Sequence, residues 1–264
     1  MKKIWAILCL MSVTFAILKA QGEIDDEEKI FYRNERTFAG TIASTGFGFN
    51  FRYAKRLDAF RKTTYEAGFN FMKHEKEFKI TTSQTQQIGG SYVYGKLNSL
   101  YTLYGGIGFQ REIFRKEDQG GISIRYFYNF GPVIGLQKPV YYEVWVLQGY
   151  IGDQPVFQIE RMKFEDHLLI DRKAPFYIGF NELSVVPGGY FKFGFSFEYS
   201  KKGGTYRALE TGIIVDAFVK EIPIMANDQN HWLFPGFFLN YRFGKIIDSQ
   251  FKRRKTKVDE MLTD

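Results

Sequence analysis

The sequence predicts an all-β chain, an antiparallel transmembrane β-barrel of about eight strands, with ten as the alternative, forming one domain after a cleaved signal peptide. Three observations predict it. Phe and Tyr are abundant, 28 and 17 in 264 residues, and they fall in runs that alternate with period two. The opposite faces of those runs are built from Gly, Ser, Asn and single charges rather than the Lys, Glu and Thr expected of a water-facing strand. After residue 20 no stretch approaches the roughly 20 apolar residues of a membrane helix, so a spanning structure must be a closed barrel.

The chain opens with the layout of a secretory signal. Lys2 and Lys3 precede an apolar run over residues 4–18, and Ala20 before Gln21 is a suitable cleavage point. Cys9 is the only cysteine; it lies inside the apolar run, without the small residue that precedes a lipoprotein cysteine. Cleavage would leave a chain without disulfides, thiol nucleophile or thiolate metal site. It would also remove Lys2, Lys3 and Lys19, leaving 33 basic residues against 29 acidic ones. A formal charge of +4 does not argue for nucleic acid.

The expected organisation is a signal peptide over 1–20, a periplasmic lead-in over 21–36, the barrel over 37–245 and a basic periplasmic tail over 246–264. The lead-in is acidic and then mixed. Next, Phe47, Phe49, Phe51 and Tyr53 share one strand face while Gly48, Asn50 and Arg52 share the other. Beyond a polar segment at 55–62, Tyr65, Ala67, Phe69 and Phe71 oppose Glu66, Gly68, Asn70 and Met72. A charged turn and a Thr/Gln-rich rise lead into Tyr92 and Tyr94. The return strand from residue 100 sets Tyr101, Leu103, Ile107 and Phe109 against Thr102, Tyr104, Gly106, Gly108 and Gln110.

A polar turn at 115–121 leads to Ile122, Ile124, Tyr126, Tyr128 and Phe130, opposite Ser123, Arg125, Phe127 and Asn129. Pro132 and Pro139 are expected to break that strand, because proline removes a ladder donor. Residues 137–186 read as the longest excursion, with strand extensions near 141–146 and 176–180. Then Phe191, Phe193, Phe195, Phe197 and Tyr199 alternate with Tyr190, Lys192, Gly194, Ser196 and Glu198. A Gly-Gly turn at 201–204 precedes a strand with Glu210, Asp216 and Phe218 on its inner face. The last run sets Phe237, Leu239, Tyr241 and Phe243 against Phe238, Asn240 and Arg242. Short turns near 75–85, 115–121 and 201–204 are expected in the periplasm, with 137–186 outside the cell.

Alternation alone does not say which face meets water. Repeated glycine on the polar face suits a crowded interior, and tyrosines 53, 65, 101, 199 and 241 near run ends suit a headgroup layer. The closing run GFFLNYRFGK at 236–245 resembles the last strand of outer-membrane barrels of the Bacteroidetes, and the Ala20-Gln21 boundary resembles their signal cleavage. YGKLNSLYTLYGGIGFQREI (94–113), LQKPVYYEV (136–144), ALETGIIVDAF (208–218) and IPIMA (222–226) are similar to a family of uncharacterised outer-membrane proteins of those bacteria. The resemblance implies fold and an outer-membrane location in a Gram-negative cell, and no activity. This chain runs some twenty residues past the usual terminal strand.

The candidate site is an interior charge network: Arg52, Arg125, Lys192 and Arg242 against Glu66, Glu198, Glu210 and Asp216. Four charges of each sign suggest mutual pairing in a packed interior, whereas an ion-selective pore favours one sign. His74, His167 and His231 all fall in expected turns or loops, and none stands in a nucleophile or metal motif. The sequence therefore predicts no catalytic, cofactor or metal residues and no enzyme. It predicts an integral barrel of structural or accessory role, such as a subunit of a secretion or assembly machine. A narrow solute or ion channel is the alternative, and a lipid-modifying enzyme comes third. The expected partners are outer-membrane lipid, lipopolysaccharide and proteins of an outer-membrane complex, with no nucleic acid. The basic tail FKRRKTK at 251–257 reads as solvated or as an electrostatic contact.

Overall fold

A computed structural model describes residues 33–81, 90–115, 121–151, 153–166, 168–200, 205–226 and 230–248. The expected signal peptide, His167, the 201–204 turn and the basic tail lie outside the described residues. Eight antiparallel strands close a barrel: β1 (Arg33–Ala43), β2 (Gly46–Arg56), β3 (Arg61–Met72), β6 (Asn98–Phe114), β7 (Ser123–Pro139), β11 (Ser184–Glu198), β12 (Thr205–Ile222) and β13 (His231–Asp248). Closure is made by β1 on β13, in register from Arg33↔Asp248 to Ala43↔Phe238. A closed ladder leaves no edge among these strands. Five shorter strands lie outside it: the pair β4 (Lys79–Thr81) and β5 (Ser91–Val93), and a sheet of β8 (Tyr141–Ile151), β9 (Gln154–Lys163) and β10 (Ile170–Lys173).

The alternation read from sequence sets the sidedness of the barrel strands other than β1. Glycines face inward where the adjacent strand, or the next one round the barrel, sends in a large ring. A Cβ on Gly68 would stand 2.5 Å from the Tyr104 ring, and one on Gly194 would stand 2.9 Å from Phe238. The outward positions carry exposed Phe38, Phe49, Leu103, Phe130, Phe191, Ile213 and Phe237. Phe127, Tyr104, Tyr190 and Phe218 point inward and are buried, as expected.

Several expectations are corrected. The lead-in ends early, because β1 begins at Arg33 and takes the residues from there to 36. Polar Glu35, Thr37 and Thr41 alternate with Arg36, Phe38 and Ile42, so an inward polar face made the first half of the strand look like a linker. The rise through Tyr92 is instead β5, three residues long and outside the barrel. With β1 supplied and this run removed, residues 73–97 share the end of the barrel that carries 140–183. The described part of the expected short turn at 75–85, residues 75–81, thus belongs to the long-loop end, not to the end where 57–60 joins β2 to β3 and where β6 ends and β7 begins.

Pro132 does not break β7, which runs to Pro139. The β6–β7 ladder passes over Gly105 and Gly106 opposite Gly131 and Pro132 while holding one register, Tyr104↔Val133 before and Ile107↔Phe130 after. The donor that proline lacks falls in that gap, and a Cβ on Gly131 would stand 2.3 Å from the Gly105 carbonyl. Beyond the barrel, residues 176–180 form no strand. Ile178 N–H donates to the Pro175 carbonyl, Gly179 has φ of 90° and a 3-10 turn follows at Phe180–Glu182. β13 also extends to Asp248, three residues past the expected barrel end.

The long-loop end is covered. Residues 95–98 and 223–226 reach each other across the mouth, through Leu97 N–H to the Ile224 carbonyl at 2.9 Å and Ala226 N–H to the Gly95 carbonyl at 2.7 Å. β6 and β12 are not neighbours in the barrel, so this contact bridges the opening. The β8–β10 sheet packs on that bridge through Tyr142, Val144, Phe164 and Ile170, with Tyr92 and Leu97 against them. The Tyr142 hydroxyl lies 2.8 Å from both the Val93 and Lys96 carbonyls. Burial raises its pKa above the ordinary tyrosine value, which keeps it a neutral donor.

Candidate functional site in the barrel interior

The pleat sends every second side chain of each barrel strand inward, so charges far apart in sequence meet at one height. Arg52 on β2 donates through Nε to Glu66 Oε2 of β3 and through Nη1 to Glu210 Oε1 of β12, each at 2.7 Å. Arg242 on β13 reaches the same Glu210 oxygen through Nε at 2.8 Å. Its other nitrogens donate to Asn50 Oδ1 at 2.7 Å and Thr37 Oγ1 at 3.1 Å. Lys192 on β11 completes the group with Nζ 2.9 Å from Glu66 Oε1. Asn129 donates to Glu66 and Asn240 to Glu210. Two carboxylates thus hold three cations, and amide groups fill the remaining acceptor positions.

The group is dry. Arg52 is 1 % exposed, and Lys192 and Glu210 are 0 %. The Arg52 guanidinium lies 4.3 Å from the Phe127 ring centroid and Lys192 Nζ 4.7 Å from that of Phe238. These rings give the cations an attractive face without adding a charge. Pairing of this completeness is what a buried ion needs, since a lone charge would cost several kcal/mol.

Arg125 and Glu198 do not join this group. They form a second one toward the short-turn end with Glu35 and Lys62. Arg125 Nη1 donates to Glu35 Oε1 at 3.1 Å and Nη2 pairs with Glu198, while Lys62 pairs with Glu35. Ser123 Oγ donates to Glu112 Oε1 at 2.8 Å at the edge of this group. Sequence reasoning missed Glu35 and Lys62, having placed one in a linker and the other in a polar segment. The signal was present as parity: 35 lies two residues before Thr37, and 62 lies four before Glu66.

Asp216 is inward and buried, but its Oδ1 has no hydrogen-bond partner. It lies above both groups, beside a cavity of about 10 Å³ that Thr41 and Asn70 also line. Above the charges, Met72, Leu100, Tyr104, Val133, Val186, Tyr190, Phe218, Ile222 and Ile224 form an apolar cluster under the bridged mouth. The interior is therefore ionic toward the short-turn end and apolar toward the long-loop end.

Of the histidines, His231 begins β13 and His74 lies in the 73–78 loop, where its Nδ1 accepts from Lys76 N–H at 3.2 Å. Among the described residues no group of three His, Cys, Asp or Glu is arranged to hold a metal.

No protein-family model matches the chain, and no curated protein matches its sequence. Solved structures similar to it include Neisserial surface protein A (NspA), at 8% identity and TM-score 0.37, over 82% of this chain and 96% of that one. Ail, the attachment invasion locus protein of Yersinia pestis, solved with the heparin analogue sucrose octasulfate, aligns at 6% identity and TM-score 0.38, over 83% and 100%. The N-terminal β-barrel domain of Pseudomonas aeruginosa OprF aligns at 6% identity and TM-score 0.31, over 80% and 97%.

Proposed function

We propose that this chain is an integral outer-membrane barrel with a filled, non-conducting interior, of structural or accessory role and without enzymatic activity. The observation that carries the proposal is the inversion of its two faces. Arg52, Glu66, Lys192, Glu210 and Arg242 are sealed inside, while large apolar side chains on all eight barrel strands are exposed outside. In water this arrangement leaves an apolar belt far larger than a soluble monomer carries, and in a bilayer the same belt is solvated by acyl chains. The barrel strands are 11 to 18 residues long, enough for a tilted span and, in the longer ones, for extension beyond the bilayer.

Short turns at the end bearing the outer ends of β1 and β13 favour that end as periplasmic, with the bridged mouth and the β8–β10 sheet outside the cell. Lipid and lipopolysaccharide are then the partners of the belt. Kinship with the Bacteroidetes outer-membrane proteins is part of the same proposal. An accessory role with a protein partner is supported by the β8–β9 hairpin, which presents exposed Trp145, Leu147, Phe157 and Ile159 on one face.

The non-conducting reading rests on the paired ions and the apolar cluster above them. Pure protein reconstituted in a planar bilayer is expected to give no stable conductance steps. Reproducible single-channel openings whose selectivity shifts in Glu210→Ala would replace it with the channel reading.

A further inference from the structure

On the outside of the barrel, near the short-turn end, Arg36, Lys55, Arg61, Arg111, Arg207 and Lys245 are exposed on outward strand positions. Among the described residues no Asp or Glu shares that outward face at that end. Within this girdle Arg61 on β3 and Arg111 on β6 are direct cross-strand partners. Like charges placed opposite each other are destabilising unless an anion lies between them. Their neighbours supply an anion to Arg61 only, from the exposed turn before β3. Arg61 has only the exposed Asp58, with Nε 3.5 Å from Oδ2, and Arg111 makes no ion pair among the described residues. Nearby Arg56 and Arg115 are engaged differently, donating to the Ala59 carbonyl, with Arg115 stacked 5.1 Å from the Phe60 ring centroid.

Arg61 and Arg111 line a cavity of about 410 Å³ together with Leu57, Phe109, Gln110, Tyr126 and Tyr128. Tyr126 is the cross-strand partner of Arg111 on its other side. Phe109 and Tyr128, directly paired with ring centroids 5.5 Å apart, extend the cavity toward the apolar belt. The result is a pair of arginines next to an aromatic wall of Phe109, Tyr126 and Tyr128, these five on outward strand positions.

We propose that this cavity holds an anionic phospholipid of the adjoining leaflet, its phosphate between Arg61 and Arg111 and an acyl chain along Phe109 and Tyr128. A fork of guanidiniums matches phosphate oxygens, and the apolar wall gives a lipid what a free anion cannot use. The proposal rests on the membrane reading above and adds a specific lipid site to it.

Native mass spectrometry of the full barrel in detergent, titrated with phosphatidylglycerol or phosphatidylcholine, reads the site directly. Phosphatidylglycerol is expected to bind in preference, and Arg61→Gln with Arg111→Gln to weaken it roughly 30-fold. Arg207→Gln with Lys245→Gln, on another side of the girdle, should leave that affinity within about twofold by the same reasoning. Equal binding of the two lipids, an unaffected Arg61/Arg111 variant, or displacement by an equal concentration of inorganic phosphate would each overturn the site. Should that variant not fold, a photoreactive phosphatidylglycerol on the wild-type protein decides: adducts within β3, β6 and β7 support the site, and adducts spread around the barrel refute it. Failure of the wild-type protein to insert into phosphatidylcholine vesicles would instead sink the membrane reading.

Discussion

At the scale of single residues, Glu210 is the side chain on which most depends. It accepts from Arg52, Arg242 and Asn240 in a place closed to water. Glu210→Ala would leave two guanidiniums sharing Glu66 alone, and its expected cost is about 3 to 5 kcal/mol. Glu210→Gln keeps an acceptor oxygen and is expected to cost less. Urea unfolding of both variants in detergent checks the order, and an Ala variant as stable as wild type would remove the network from the account of stability. Seven of the eight charges read from sequence pair inside the barrel, because parity along a strand fixes which face a residue occupies. Their division into two groups was not legible, since it depends on barrel stagger, which no single strand encodes. Asp216 shows the same limit: its inward direction followed from alternation, and its unsatisfied Oδ1 did not.

The elements read most easily were those with aromatic outer faces. β11, with Phe191, Phe193, Phe195 and Phe197 outward, was read from Tyr190 onward, while its first six residues, 184–189, were not read as strand. β1 was missed because its outward face is mixed, with Arg36, Phe38 and Gly40, and because its neighbours β2 and β13 supply the large rings around it. β9 and β10 escaped for another reason: they pair outside the barrel, where a polar or mixed strand is tolerated by water. The outward assignment of β11 has its own test. Phe195→Arg is expected to cost about 2 to 4 kcal/mol and to impair assembly, as charge on a mid-strand lipid face does. Membrane fractionation of cells making the variant measures it, and normal assembly would place Phe195 away from lipid.

For the whole molecule, the fold follows from one inversion carried by every barrel strand: ions and polar groups inside, paired, with apolar side chains outside, unpaired by protein. Each half requires the other, because closing the ladder satisfies the backbone in lipid and filling the interior removes the need for water. The most direct test is a nitroxide scan along residues 191–198 of β11, in a Cys9→Ser background reconstituted in lipid vesicles. Collision with oxygen, which concentrates in the bilayer, should peak at 191, 193, 195 and 197. The even positions, facing the packed interior, should be shielded from both oxygen and a water-soluble nickel complex. Nickel access at the odd positions equal to that of a loop label, or no period of two, would contradict a lipid-facing barrel.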